Sequence, residues 1–448
     1  MRDITRKEFL HRAAAGAITG SLLGTGCITT KAMDTMGLTP VAGEIVLAPH
    51  LKASTFDTGV GITIQADNVT VVNPRLEDFA EGVRIQRKPD GNLPKDCRVI
   101  FDPNAAGAAG SGIFHCRTGV SASRFENLEV GGVGGGYLRF RRCYRNVTIE
   151  GGVGGNFHHC DIMGPSFVFP KGNGEVGSIV GIKALADYTL GAPYECSHHL
   201  INDNVVASIS EEGISFDPAS TDSAPMARET NTISSVQPAY HRITLSDSGW
   251  NNKDDVFGGY FVVFLSGAAK GHFLQIASQS GPRLTLVDPD DVLLRVKVGN
   301  KVTIGMPYHH NVVANNHVDA TDSRVGISFG GFSFRGLIEG NRVTGYADYD
   351  YPDYFNLRQV GGVTAPQAIR IGSQTEVSGS GTMIGNARWV PSAMNSVVGN
   401  STDGDLSLHL IRLGQNVYTS PNYWAHNAIT GSGQLWVKDH TLLASPPA

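Results

Sequence analysis

Charge is scarce in this chain. Asp, Glu, Lys and Arg make up 17% of its 448 residues, and the net charge is −5. Without a basic excess there is no electrostatic footprint for nucleic-acid binding, so that function class is excluded. Cysteine is also sparse. The six are Cys27, Cys97, Cys116, Cys143, Cys160 and Cys196, with no CxxC pair and no zinc-ligand spacing. Long apolar runs are missing as well. The stretch from Ala13 to Leu23 is too short to span a bilayer, and no later stretch is long and apolar enough. No nucleophile elbow, zincin helix or dinucleotide fingerprint occurs. The runs Gly131 to Gly136 and Gly151 to Gly155 precede no helix start, so they are turns rather than phosphate loops. What is abundant is glycine, 55 of 448 residues, against a usual share of about 7%. Much glycine with little charge fits tight corners between short strands.

One short phrase recurs. Gly213-Ile214-Ser215-Phe216-Asp217, Gly326-Ile327-Ser328-Phe329-Gly330, Ala368-Ile369-Arg370-Ile371-Gly372 and Leu410-Ile411-Arg412-Leu413-Gly414 share it. Gly181-Ile182-Lys183-Ala184-Leu185 and Tyr137-Leu138-Arg139-Phe140-Arg141 fit it too. Two apolar residues flank one free residue, the period-two pattern of a strand buried on one face. A second phrase precedes it at His198-His199-Leu200-Ile201-Asn202-Asp203-Asn204-Val205 and at His309-His310-Asn311-Val312-Val313-Ala314-Asn315-Asn316. Short strands with Asn and Gly at the corners, recurring every few tens of residues, predict an all-β solenoid.

Stacking the phrases puts their free positions in one outer ladder: Arg139, Lys183, Ser215, Ser328, Arg370 and Arg412. Rungs of a stacked sheet lie about 4.8 Å apart. Alternating cations and hydroxyls suit an extended anionic chain, although exposed strand positions carry Lys and Arg in any case. Asn202, Asn204, Asn315, Asn316 and Asn341 are expected to close the corners through hydrogen bonds to backbone. The pairs His158-His159, His198-His199 and His309-His310 take matching places, which suggests a corner role; metal or catalytic work is the alternative. Cys116, Cys143 and Cys160 each end a strand-like phrase and are expected to form a buried thiol stack at one corner.

Along the chain, residues 1–27 read as an export signal and 28–60 as a linker and cap. The solenoid occupies 61–218 and 308–440, and 441–448 is a tail. Between its halves, 219–307 holds longer strands at hairpin spacing, an inserted antiparallel β module. Such an excursion, leaving just after Asp217, is placed to wall or cover a site on the ladder. Thr5-Arg6-Lys7-Glu8-Phe9-Leu10 resembles a twin-arginine export motif, with Lys7 replacing the second arginine. Leu22-Leu23-Gly24-Thr25-Gly26-Cys27 resembles a bacterial lipoprotein site. These imply an exported protein: periplasmic, anchored to the outer membrane through a lipid on Cys27, or extracellular.

Inward Ile, Val and Phe, Asn-rich corners and a Gly-rich body resemble the right-handed parallel β-helix superfamily, whose members include pectate-lyase-like enzymes. The resemblance covers Gly61 to Gly414 apart from the insertion. It implies a carbohydrate-active protein with its site on one long face, without naming the reaction. The paired Asp residues and Gly-His-Gly of polygalacturonases are absent.

For β-elimination on a uronate polymer, cations must neutralise the carboxylate and a base must take the C5 proton. Lys183 is the candidate base, since neighbouring cations would favour its neutral amine. Arg370 suits the carboxylate with its planar fork. Arg139, Ser215, Ser328 and Arg412 would line the substrate, and Tyr349, in the Tyr- and Asp-rich stretch 346–354, could stack on a sugar ring. Hydrolysis is the alternative, with Glu212 and Asp217 as paired carboxylates. Glu211 and Asp187 add oxygen ligands suited to Ca²⁺. A non-catalytic glycan-binding or adhesion protein is the third reading.

Overall fold

In a computed structural model, the described residues are 37–164, 180–185, 194–209, 212–216, 231–246, 257–320, 325–329, 333–345, 367–372, 394–409, 423–430 and 435–437. The backbone of the short strands Ile28–Thr29, Phe169–Pro170 and Val176–Gly177 is also placed. Three parallel sheets stack coil on coil, and four coils supply two segments to one of them, as at Cys196–Ser197 and Leu200–Asn202. The first sheet has ten strands, among them Thr58–Ile64, Phe79–Ile85, Thr118–Ser123, Arg145–Glu150, Val180–Leu185, Glu212–Phe216, Val325–Phe329 and Gln367–Gly372. The second sheet follows in each coil, as at Leu200–Asn202 and Val312–Ala314, and the third after that, as at Val205–Ala207 and His317–Asp319. The fold is a three-faced parallel β-helix.

The strand phrase works as its pattern requires. Ile182, Ile214, Ile327 and Ile369 stack inside without exposure, as do Phe216 and Phe329. The glycines that open the Gly181 and Gly213 phrases have a steric cause. A Cβ on Gly181 would lie 2.1 Å from the Gly213 carbonyl oxygen, and one on Gly213 would lie 2.6 Å from that of Gly326. The backbones approach too closely there for a side chain.

Between the second and third sheets the chain turns through one left-handed residue, at His159, Asp203, Asn315, Gly340, Gly399 and His426. Asn, Asp, His and Gly tolerate that conformation best. Directly after the last five of these stands an inward asparagine: Asn204, Asn316, Asn341, Asn400 and Asn427. Asn341 Oδ1 accepts from the Asn316 backbone N–H at 2.9 Å, and Asn341 Nδ2 donates to the Val313 carbonyl at 2.9 Å. Its own N–H donates to Asn400 Oδ1 at 2.9 Å. The column satisfies buried backbone groups that no strand partner reaches. Of the expected corner residues, Asn204, Asn316 and Asn341 belong to it. Asn315 is instead the turn residue, and Asn202 lies in a second-sheet strand, donating to the Asp203 carboxylate at 2.5 Å.

A second column runs within the second sheet. There His199 takes the asparagine's part: its Nδ1 accepts from the Gly155 N–H at 3.0 Å, while its own N–H donates to Asn311 Oδ1 at 2.9 Å. Asn395 continues the column, accepting from Gly336 N–H at 2.8 Å.

The five described cysteines are free thiols, all buried. Cys116 and Cys143 precede register partners Thr118 and Arg145 by the same interval and stack as expected. Cys160 does not join them. It opens a third-sheet strand opposite Leu138, one corner away.

The insertion forms a closed antiparallel barrel of six strands, Asn231–Gln237, Arg242–Leu245, Phe261–Phe264, Phe273–Ser280, Arg283–Val287 and Lys301–Gly305. Its described ring contacts with the solenoid fall on the second sheet. Phe261 and Phe273 pack on His309 at 5.6 and 5.5 Å, and Phe273 on Phe334 at 5.0 Å. The expected cover over the ladder is thus not seen among these contacts.

Replacing Asn341 by Ala leaves the Asn316 backbone N–H and the Val313 carbonyl without their partner. Each group stranded in this way costs roughly 1–3 kcal/mol. Asn341→Ala should therefore lower the denaturant midpoint clearly, whereas an unchanged midpoint would deny the column its structural role.

Candidate functional site

The first sheet's outer face carries the ladder. Lys183 pairs with Ser215, Ser215 with Ser328, and Ser328 with Arg370. Four of the six expected ladder residues are thus brought together in order. Arg139 is not among them. Its strand, Leu138–Arg141, belongs to the third sheet, where Arg139 pairs with Asp161. Its phrase has the same alternation because every buried strand of this fold shares it. The register position after Arg370 is held by Ser407. Arg412 lies outside the described residues, as do Asp217, Glu211, Asp187 and Tyr349.

Glu212 gives the face its chemistry. It opens the strand of Ser215, three residues earlier, on the same side. Its Oε2 lies 3.7 Å from Lys183 Nζ, and its Oε1 lies 3.3 Å from Arg370 Nη2. Arg370 reaches back across two coils to do this. On the way its Nε and Nη2 donate to Ser328 Oγ at 3.2 and 3.0 Å. Arg370 therefore lies against the Ser328 hydroxyl, and Ser215 and Ser328 are 0% and 1% exposed. The ladder is not a row of open surface positions at this end. It is a buried cluster of two cations, one carboxylate and two hydroxyls. Ser215 Oγ has no hydrogen-bond partner among the described residues, an uncommon state for a buried hydroxyl.

The environment of Lys183 also differs from the expected one. Its register neighbours are Thr148 and Ser215, and among the described residues the Glu212 carboxylate faces it. The Lys183 side chain keeps 18% exposure against 2% for Glu212, so Lys183 is the member of the pair that a ligand can meet.

The ladder also continues where the sequence reading stopped. Thr63, Arg84, Ser121 and Thr148 precede Lys183 in unbroken register. Arg84 is held by Glu81, three residues before it, through Nε at 2.9 Å. Arg84 holds the free position of Gly82-Val83-Arg84-Ile85-Gln86, which fits the repeat phrase, although the ladder drawn from the repeats does not include it.

The histidines take the corner role. His159, His198 and His310 are left-handed turn residues, and His198 and His310 stack at 5.0 Å. His309 Nε2 bonds Glu195 Oε2 at 2.9 Å, and its Nδ1 bonds His310 Nδ1 at 2.9 Å. The buried ring of His199 is held near a pKa of about 3 by desolvation. Burial, with His309 adjacent, likewise lowers His198 to about 4 and His310 to about 3. No group of three or more His, Cys, Asp or Glu suited to a metal ion occurs among the described residues.

No protein-family model matches the chain, and no curated protein matches it. Among solved structures, the DFA-IIIase from Arthrobacter chlorophenolicus A6 is 8% identical, with a TM-score of 0.39 over 90% of this chain and 70% of that one. The Dettilon tailspike protein is 14% identical, with a TM-score of 0.32 over 88% of this chain and 60% of that one. This chain therefore spans less than two thirds of that tailspike. An alginate lyase from Paenibacillus sp. str. FPU-7 is 10% identical, with a TM-score of 0.32 over 90% of this chain and 87% of that one. The parallel β-helix architecture of this chain stands on its own three parallel sheets.

The histidine corner makes a prediction about acid. The folded state holds His198, His199 and His310 neutral below the ordinary value of 6.5. As pH falls below 6.5 the unfolded chain takes up protons that the folded chain refuses, so stability drops with pH. Thermal midpoints should fall between pH 6.5 and 4.5, above the ordinary glutamate range, and His310→Asn should reduce that fall. A flat profile in this window would contradict the assignment.

Proposed function

We propose that the protein is an exported, polysaccharide-active enzyme that cleaves an acidic, uronate-containing glycan by β-elimination at Lys183, Glu212 and Arg370. The observation that carries this reading is the convergence of Lys183 and Arg370 on one buried carboxylate, with two hydroxyls between them, on a single face of a parallel sheet. Buried ionisable clusters of this kind concentrate at functional sites because desolvation is costly and must be compensated.

The parts divide as follows. Arg370 offers a planar fork to the uronate carboxylate, which acidifies the C5–H bond. Lys183 Nζ is the acid–base group, and Glu212 is its proton partner. At 3.7 Å the pair is an ion pair too long for a hydrogen bond, so a side-chain adjustment must close it. Passing the Lys183 proton to Glu212 leaves a neutral pair and a free amine. The amine takes the C5 proton, the C4–C5 double bond forms as the C4–O bond breaks, the leaving oxygen takes that proton back from the Lys183 ammonium, and Glu212 returns its own proton to the amine. Ser328 accepts from Arg370 Nε and Nη2 and so positions the guanidinium.

Hydrolysis is less well supported. Glu212 is engaged by two cations and almost wholly buried, so it is poorly placed to reach a glycosidic oxygen. Localisation in the periplasm, at the outer membrane through Cys27, or outside the cell follows from the amino-terminal segment and forms part of the same proposal.

The test is the ultraviolet absorbance of the unsaturated uronate, using alginate, pectate, glucuronan and glycosaminoglycans with and without Ca²⁺. The wild type should produce the band with one polymer class, and Lys183→Ala should reduce turnover by at least about a hundredfold, the lower range for a lost acid–base group. Lys183→Ala should still bind the polymer. New reducing ends without the band would replace elimination by hydrolysis. Binding without either product would make this a glycan-binding protein.

A further inference from the structure

The ladder changes character at Lys183. On one side Ser215, Ser328 and Arg370 are buried. On the other, Thr148, Ser121, Arg84 and Thr63 are all partly exposed. A parallel column on the same face runs from Glu81 through Thr118, Arg145 and Val180 to Glu212. Arg145 is the exposed cation of that column, one coil before Lys183, and has no carboxylate partner among the described residues. Arg117 and Arg84 lie on the coils beyond, but each is tied to an acid, Arg117 to Asp57 at 2.8 Å and Arg84 to Glu81. Arg145 differs from both in being available.

We infer that Arg145 is a substrate-binding residue that takes the carboxylate of a sugar neighbouring the reacting one, and that the glycan extends over Thr148, Ser121 and Arg84. This rests on the acidic-glycan reading above. The geometry supports it in three ways. The exposed rows are contiguous with Lys183 and on its face. They step at about 4.8 Å, so Arg84 stands about 14 Å from the Lys183 row and only a longer chain reaches it. An exposed guanidinium with no partner also loses no existing ion pair when an anion arrives. The consequence is a preference for chains over single sugars, with the bound chain lying towards the amino-terminal coils.

The experiment is calorimetric titration of saturated mannuronate, galacturonate and glucuronate oligomers, as dimers and hexamers, into Lys183→Ala protein, which binds without consuming them. The same titrations follow in Lys183→Ala with Arg145→Ala, and in Lys183→Ala with Arg342→Ala as a control from the exposed third-sheet face. Loss of Arg145 should weaken dimer and hexamer binding alike, about tenfold or more, and should flatten the salt dependence. The Arg342 control should change neither. Equal hexamer affinities with and without Arg145 would overturn this inference and leave the acidic-glycan reading standing. No binding of any uronate oligomer by either the Lys183→Ala or the wild-type protein would overturn both.

Discussion

The solenoid of this molecule depends on parallel stacking at a fixed spacing. Each coil must offer its backbone groups to the coils above and below, and a corner that fails to do so strands polar groups in the interior. The asparagine column from Asn204 to Asn427 solves that problem at one corner, and the Gly181 and Gly213 positions solve the matching steric problem on the first sheet. His199 shows that the requirement is chemical rather than residue-specific. Its ring nitrogen accepts the Gly155 N–H, and its backbone donates to Asn311 beyond it.

Stacking also builds the site. Side chains far apart in sequence, such as Lys183 and Arg370, share a face because their strands pair in register through Ser215 and Ser328. The barrel interrupts the chain between two of those rungs without disturbing the register, since Glu212–Phe216 and Val325–Phe329 still pair directly. A long excursion is tolerated because the coils on either side close against each other. The barrel then packs its Phe261 and Phe273 against His309, which couples its seating to the histidine corner.

The solenoid was legible in the sequence because period-two burial and corner chemistry are local signals. The ladder from Lys183 to Arg370 was legible for the same reason. Arg139 misled because an alternating strand looks alike on any of the three faces, and only the coil count assigns the face. The buried state of Ser215 and Ser328 could not be read, since the period-two pattern marks the free position as outward and says nothing of what packs on it. The partner of Lys183 was also hidden: Glu212 sits at the start of a phrase whose glycine follows it, a place the repeat pattern leaves unspecified. Arg84 holds the free position of a phrase that fits the repeat, whereas Arg145 precedes the alternating part of its rung, so its place on the face emerges only from register.

The central claim is that Lys183, Glu212 and Arg370 form the reacting centre. The most direct measurement is a crystal structure of the Lys183→Ala protein soaked with a uronate oligomer that the protein is shown to bind. The account predicts a carboxylate within hydrogen-bond distance of the Arg370 guanidinium, with the sugar's C5 facing the space left by the lysine side chain. An oligomer seated on the third sheet or on the barrel, with the Glu212–Arg370 pair undisturbed, would contradict it.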